Sequence, residues 1–259
     1  MRHILHKSIL AVLAVAFAFL AIGATPVVSS DSNRDQQQPE QQAIQALTKL
    51  GIPLQRDSDG VVRWIEATEG EFSDEAMRYL VQLPGLEWLE IGKGSVTSAG
   101  TAQLKGCAAL KRLYLHDINL SGDGLAWLSG LTKLEALSLQ NTRIEGNALR
   151  HLSELPVLVV LNLGDNSIQD EDIAHIAGLK DLEVLALTNT KITGAGIAKL
   201  EGMRSLNELN LVNCSIQDSD LEYFLTMPNL RIVYAAGCYL SDMAIQNTVS
   251  RFPMLAIFR

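Results

Sequence analysis

The sequence predicts an α/β solenoid built from eight stacked strand-plus-helix units, and two observations predict it. The first is a fixed period. Leucine stands at 86, 110, 134, 158, 182, 206 and 230, at one unvarying spacing. Three positions on come Leu89, Leu113, Leu137, Leu161, Leu185, Leu209 and Val233. Five on come Ile91, Leu115, Leu139, Leu163, Leu187, Leu211 and Ala235, and ten on come Val96, Leu120, Ile144, Ile168, Ile192, Ile216 and Leu240. One step earlier the same places hold Val62, Ile65, Ala67 and Phe72, so eight units tile residues 62–253. The second observation is a change of period inside each unit. Its first half alternates like a strand, whereas its second half spaces apolar residues by three, as in Leu149, Leu152 and Leu155 or Ile197, Leu200 and Met203, like one side of a short helix. One such unit cannot bury its own apolar side; stacked neighbours make a continuous core.

Taken in order, residues 1–24 read as a secretory signal peptide. Arg2 to Lys7 give a positive start, Ser8 to Ile22 an almost unbroken apolar run, and Gly23 and Ala24 a small-residue end. The run is shorter than the ~18–20 residues that span a bilayer, which favours cleavage, after Gly23, Ala24 or Ser30, over an uncleaved anchor. Residues 25–38 read as a flexible polar linker, with little apolar surface to fold around. Residues 39–61 read as an amino-terminal cap. Ala43, Ile44, Leu47 and Leu50 share one side of a helix over Glu40–Leu50, and Leu54–Arg56, the turn Asp57–Gly60 and the strand from Val61 form a hairpin. In the repeats Thr97, Ser121, Thr193 and Ser241 are expected N-caps. Asp74, Asp170, Asp218 and Asp242 follow at the positive ends of the helix dipoles, and Gly130, Gly178 and Gly202 are placed as C-caps. Residues 254–259, with Leu255 and Phe258, begin a truncated last strand.

The pattern L-x-x-L-x-L-x-x-[N/T/C]-x-I resembles the leucine-rich repeat throughout residues 62–253, and segments such as Leu182 to Leu200 are similar to its cysteine-containing subclass, including the shorter versions in exported bacterial proteins. The resemblance implies a right-handed solenoid with a parallel sheet on the concave side and helices on the convex side. Eight residues after each first leucine, where the commonest form has a buried asparagine, stand Gly94, Ile118, Thr142, Asn166, Thr190, Cys214 and Cys238. The buried hydrogen-bond ladder is therefore expected to be patchy, made by Thr and Asn in the middle repeats.

Outward strand positions then form three columns on the concave side. Aromatics are 5% of the chain, yet Trp64, Trp88 and Tyr114 fall together in successive strands, beside Glu90, Arg112 and His116. Trp, Tyr and Arg dominate binding hot spots, so these six residues are the candidate binding site, with partial exposure expected for Trp88, Arg112 and Tyr114. The alternative is that the cap folds over Trp64 and part of Trp88. The carboxy-terminal half of the face carries small, mildly apolar residues and no comparable signal.

Other chemistry finds little support. The chain has no nucleophile–base–acid set, phosphate-binding loop or zinc-binding motif, so no catalytic residue, metal or cofactor is expected. His151 and His175 share a convex position in adjacent repeats, but no third ligand recurs there. Cys214 and Cys238 lie one strand apart and fit either a disulfide or two buried thiols. The net charge is −8, and removing residues 1–24 takes Arg2 and Lys7 and no acidic residue, which makes it −10. Such a chain is a poor candidate for phosphate-mediated DNA or RNA binding. The expected function is a non-enzymatic, exported module, secreted or in the cell envelope, that holds a protein, peptide or envelope glycan on the concave face. The alternatives are a scaffold that self-associates through its open carboxy-terminal edge, and an adaptor like those of intracellular ubiquitin ligases, which the signal segment disfavours.

Overall fold

The structure, a computed structural model, describes residues 34–259 apart from 71, 122 and 123. The expected signal peptide, its cleavage points and most of the polar linker lie outside the described residues. The chain divides into two units, Met1–Gln37 and Gln38–Arg259, and the repeats fill the second.

Ten strands form one sheet in strict chain order: β1 (Leu54–Arg56), β2 (Val62–Ala67), β3 (Trp88–Gly92), β4 (Arg112–His116), β5 (Ala136–Ser138), β6 (Val160–Asn162), β7 (Val184–Ala186), β8 (Glu208–Asn210), β9 (Ile232–Tyr234) and β10 (Ala256–Phe258). β1 and β2 are antiparallel with a bulge after Gln55; every later pair is parallel. The register advances by one period per strand, so Trp64, Trp88, Arg112, Ala136, Val160, Val184, Glu208 and Ile232 lie side by side. The late ninth unit is seated as well, with Ala256 opposite Ile232. The periodic leucines and their equivalents fill one continuous core with the inward residues of the convex segments.

The convex side carries the expected short helices, and they are of two kinds. Among the described residues, Asp74–Leu80, Ser98–Thr101, Gly194–Ala198, Leu221–Phe224 and Asp242–Arg251 are α-helical there, and other segments, Gly146–Glu154 among them, are 3-10 helices. A spacing of three is the 3-10 period itself, and bonds such as Leu155 N–H to the Leu152 carbonyl (3.0 Å) close it. Thr97, Thr193 and Ser241 cap as expected, each accepting from an amide of the following turn. At Ser121 the amide binds Asn119 Oδ1; the two residues that follow it lie outside the described residues, and the next helical segment is Ala126–Gly130. Of the proposed C-cap glycines, Gly202 alone is left-handed, at φ +79°. Gly130 serves close approach instead, since a Cβ there would stand 2.0 Å from the Lys105 carbonyl oxygen. Asp74, Asp170 and Asp218 are expected to act on their own helices, yet each clasps the next repeat. Their carboxylates accept from the amide and the hydroxyl of Thr97, Thr193 and Ser241, at 2.6–2.8 Å.

The amino-terminal helix α1 spans Arg34–Lys49, so it begins inside the expected linker rather than at Glu40. Ala43 and Leu47 are buried, but Leu50 is exposed, because the helix has ended and Gly51 turns the chain at φ +80°. In the hairpin Asp57 accepts from the amides of Asp59 and Val61 and from Arg63.

The ladder runs further than expected. Thr142 and Thr190 donate to the carbonyls of Leu139 and Leu187 (2.7 and 2.6 Å). Asn166 donates to Leu139 and Leu163 and accepts from the amides of Thr142 and Ile144. The cysteines continue the series as thiol donors, Cys214 to the Leu187 carbonyl at 3.0 Å and Cys238 to that of Leu211 at 3.2 Å. Both are free thiols, as is buried Cys107.

Candidate functional site

Because side chains alternate along a strand, residues two, four and six after each first leucine face the concave side, and the in-register stack sets them in columns about 4.8 Å apart. The six candidates come from β2, β3 and β4 alone. Trp88 and Tyr114 meet with ring centroids 5.7 Å apart and planes tilted by 59°. The Arg112 guanidinium lies 5.3 Å from the centre of the Trp88 ring, a cation–π contact that holds both side chains in place. Below them His116 Nε2 lies 3.4 Å from Glu90 Oε1, and Nδ1 lies 3.5 Å from Asp117 Oδ2. Gly92 makes room for this ring: a Cβ there would come within 2.2 Å of His116 Cε1.

Exposure corrects part of the expectation. Trp64 is 40% exposed, so the cap does not fold over it. Trp88 and Arg112 are partly exposed. Tyr114, expected to be partly exposed, is only 7% so, and Glu90 and His116 are buried at 6% and 9%. The physical reason is the shape of the face: neighbouring strands aim their side chains at one another, and the large Trp88 and Arg112 lie across the smaller space behind them. The result is a rigid aromatic–cation rim over a buried polar layer.

Charge in that layer is balanced by contact. Burial pushes the His116 pKa down, but the hydrogen bond and charge of Glu90, followed by those of Asp117, push it further up, so it stands above the usual histidine value. Burial pushes the Tyr114 hydroxyl up, with Arg112 opposing. This arrangement can hold a ligand group against the Trp88–Arg112 rim, while Tyr114 and His116 act from behind as supports.

Farther along, the floor is small and closed: Ala136, Ser138, Val160, Asn162 and Ala186 are buried. At the far end Tyr234 and Phe258 stack, with centroids 5.5 Å apart and planes at 24°, and the half-buried Glu208 stands on the strand before Tyr234. Sequence reasoning passed over these three. The signal was present in the column itself, where Glu208 is the only charged residue on the strands that follow Arg112. Among the described residues no three His, Cys, Asp or Glu side chains are placed to hold a metal.

A family model described as the leucine-rich repeat matches residues 156–216. No curated protein matches the sequence. Among solved structures, an internalin C2 from Listeria monocytogenes aligns with a TM-score of 0.61 at 24% identity, over 77% of this chain and 80% of that one. TLR13, solved as a complex with ssRNA13, aligns with a TM-score of 0.58 at 23% identity, over 78% of this chain and 30% of its own. The likeness is one of fold: the chain is a leucine-rich-repeat solenoid.

Proposed function

We propose that this solenoid is an exported, non-enzymatic recognition module whose amino-terminal concave rim, Trp64, Trp88 and Arg112 backed by Glu90, Tyr114 and His116, holds a protein or peptide segment. One observation carries the reading: in a chain poor in aromatics, two tryptophans stand exposed or partly exposed on adjacent strands, one of them fixed by an arginine. Exposed aromatic surface costs solubility unless a partner covers it, and a strand-borne rim is held more rigidly than a loop. An envelope glycan would use the same tryptophans by stacking. The RNA in the TLR13 complex is a property of that protein; a net charge of −8 disfavours phosphate-mediated binding in this one. Among the described residues no helix is long and apolar enough to cross a membrane. Export rests on residues 1–24, and mass spectrometry of the exported protein should find its start between residues 24 and 31.

The test is affinity capture from the envelope fraction with wild type and Trp88→Ala. Truncation should weaken capture by ~2 kcal/mol or more while the melting temperature moves little. A large loss of stability with unchanged affinity per folded molecule would sink the reading. Self-association is the second reading, favoured by one observation: Tyr239, Met243 and Met254 are 71%, 73% and 69% exposed at the carboxy-terminal end of the described repeats. A concentration-dependent sedimentation coefficient, abolished by Met243→Lys, would favour it.

A further inference from the structure

We infer that the carboxy-terminal end of the concave face, where Glu208 stands one strand from Tyr234, whose ring stacks on Phe258 of the strand beyond, is a subsite for the basic side chain, arginine or lysine, of a peptide segment lying along the groove. The inference rests on the concave face being the binding surface, and it adds the chemistry of a second contact that the amino-terminal rim does not supply.

Glu208 is half-buried, and its in-register neighbours on both sides, Val184 and Ile232, are apolar. Burial raises its pKa. The cations of this end are committed elsewhere. Arg251 pairs with Glu222, Arg259 with Asp242, and Arg231 donates to the carbonyls of Pro228 and Leu230. A partly desolvated carboxylate between apolar walls is unfavourable alone and binds a cation more strongly than it would in open water. The aromatic pair extends the match. Tyr234, on the next strand and partly exposed, is backed by Phe258 and offers its ring to the alkyl stem and charged head of a long basic side chain, which rings attract by cation–π contact.

Geometry also sets the segment's length. Arg112 and Glu208 occupy the same column four strands apart, about 19 Å at the usual strand spacing. The small floor between them leaves room for backbone, and about six residues of extended peptide cover that span. The ligand class is thus a short extended segment with a basic residue at one end, met by Glu208, and an aromatic or acidic group at the other, met by Trp88 and Arg112.

The experiment titrates N-acetyl-arginine amide into the full chain and follows the Ile232 methyl groups and the Tyr234 ring by NMR. The neutral isostere N-acetyl-citrulline amide serves as control. Saturable shifts at these positions are expected from the arginine compound, with binding of the citrulline compound weaker by about tenfold, the scale of one charge-assisted hydrogen bond. Glu208→Gln, which keeps the shape, should reduce the arginine response to the citrulline level, and Tyr234→Leu should weaken it severalfold. Equal responses to the two compounds, or an arginine response unchanged in Glu208→Gln, would overturn the inference. Neither probe reads Trp88. A failure here with Trp88-dependent capture intact removes only the subsite, whereas lost capture specificity at Trp88 with this response intact removes the rim.

Discussion

The first three repeat strands and the six that follow solve the same problem in two ways. β2, β3 and β4 are six, five and five residues long, whereas β5 to β10 have three each. The change coincides with the ladder position. Gly94 and Ile118 offer no side-chain donor, and there the strands keep pairing as far as Gly92 and His116. From Thr142 onward a hydroxyl, amide or thiol reaches a carbonyl behind the strand, while the turn itself comes at one place in both regions, at a left-handed residue such as Lys93, Asp117, Asn141 or Asp165. The longer strands are the ones that present Glu90, Tyr114 and His116 as a continuous layer under the rim.

If the two regions differ only in how turns are closed, their cores should respond alike. Leu89→Ala and Leu185→Ala, one in each region and both fully buried, should each cost about 4 kcal/mol in chemical denaturation, against ~0.5 kcal/mol or less for the exposed Lys199→Ala. A cost at Leu89 near that of Lys199 would mean that the long-strand region is loosely packed. The ladder should matter only where it exists. Asn166→Ala strips partners from several buried backbone groups and should cost about 3 kcal/mol, several times the ~1 kcal/mol of Thr142→Val; near-equal losses would show that solvent reaches this turn. The smallest effect belongs to His116. Its pKa is raised on folding, so its stabilisation is complete below the ordinary histidine value of 6.5 and is lost as pH rises through the higher folded value. The melting temperature of wild type minus that of His116→Gln should therefore shrink from pH 6 toward pH 8, and a difference that grows over that range would contradict the Glu90 and Asp117 contacts.

How legible this was depended on whether a feature repeats. Inward leucines, strand register and concave columns recur eight times at one spacing, and each placement follows from the period alone. Helix type is not legible from the three-residue spacing, which Gly194–Ala198 carries as an α-helix and Gly146–Glu154 as a 3-10 helix. The burial of Tyr114 depends on which side chains lie beside it, Trp88 on one strand and Arg112 on its own, and a column read singly does not show that. Glu208 was passed over for the opposite reason: a single charge among apolar residues has no repetition to draw attention to it. The thiol rungs at Cys214 and Cys238 were visible as positions, but donation by sulfur to a carbonyl emerges only from the approach of neighbouring turns.

Among the described residues the aspartate clasps stand only in odd-numbered units, although the third unit has Gly122 at that position. Asp74, Asp170 and Asp218 stand in the first, fifth and seventh units, and the Thr97, Thr193 and Ser241 they hold stand in the second, sixth and eighth. Glycines follow the same double step, since a Cβ on Gly146 or Gly194 would strike Asp172 or Asp220 of the next unit. Lengthening or shortening such a chain is then not free at every period. Excising residues 182–229, two whole units, would bring Ser241 to the place that Thr193 held against Asp170. Excising only 182–205 would set Asp170 against Gln217, which has no hydroxyl to offer. The longer deletion should therefore melt no lower than the shorter one, against the usual expectation that fewer repeats are less stable. A tandem array grown by duplication under this constraint would gain or lose its units in pairs.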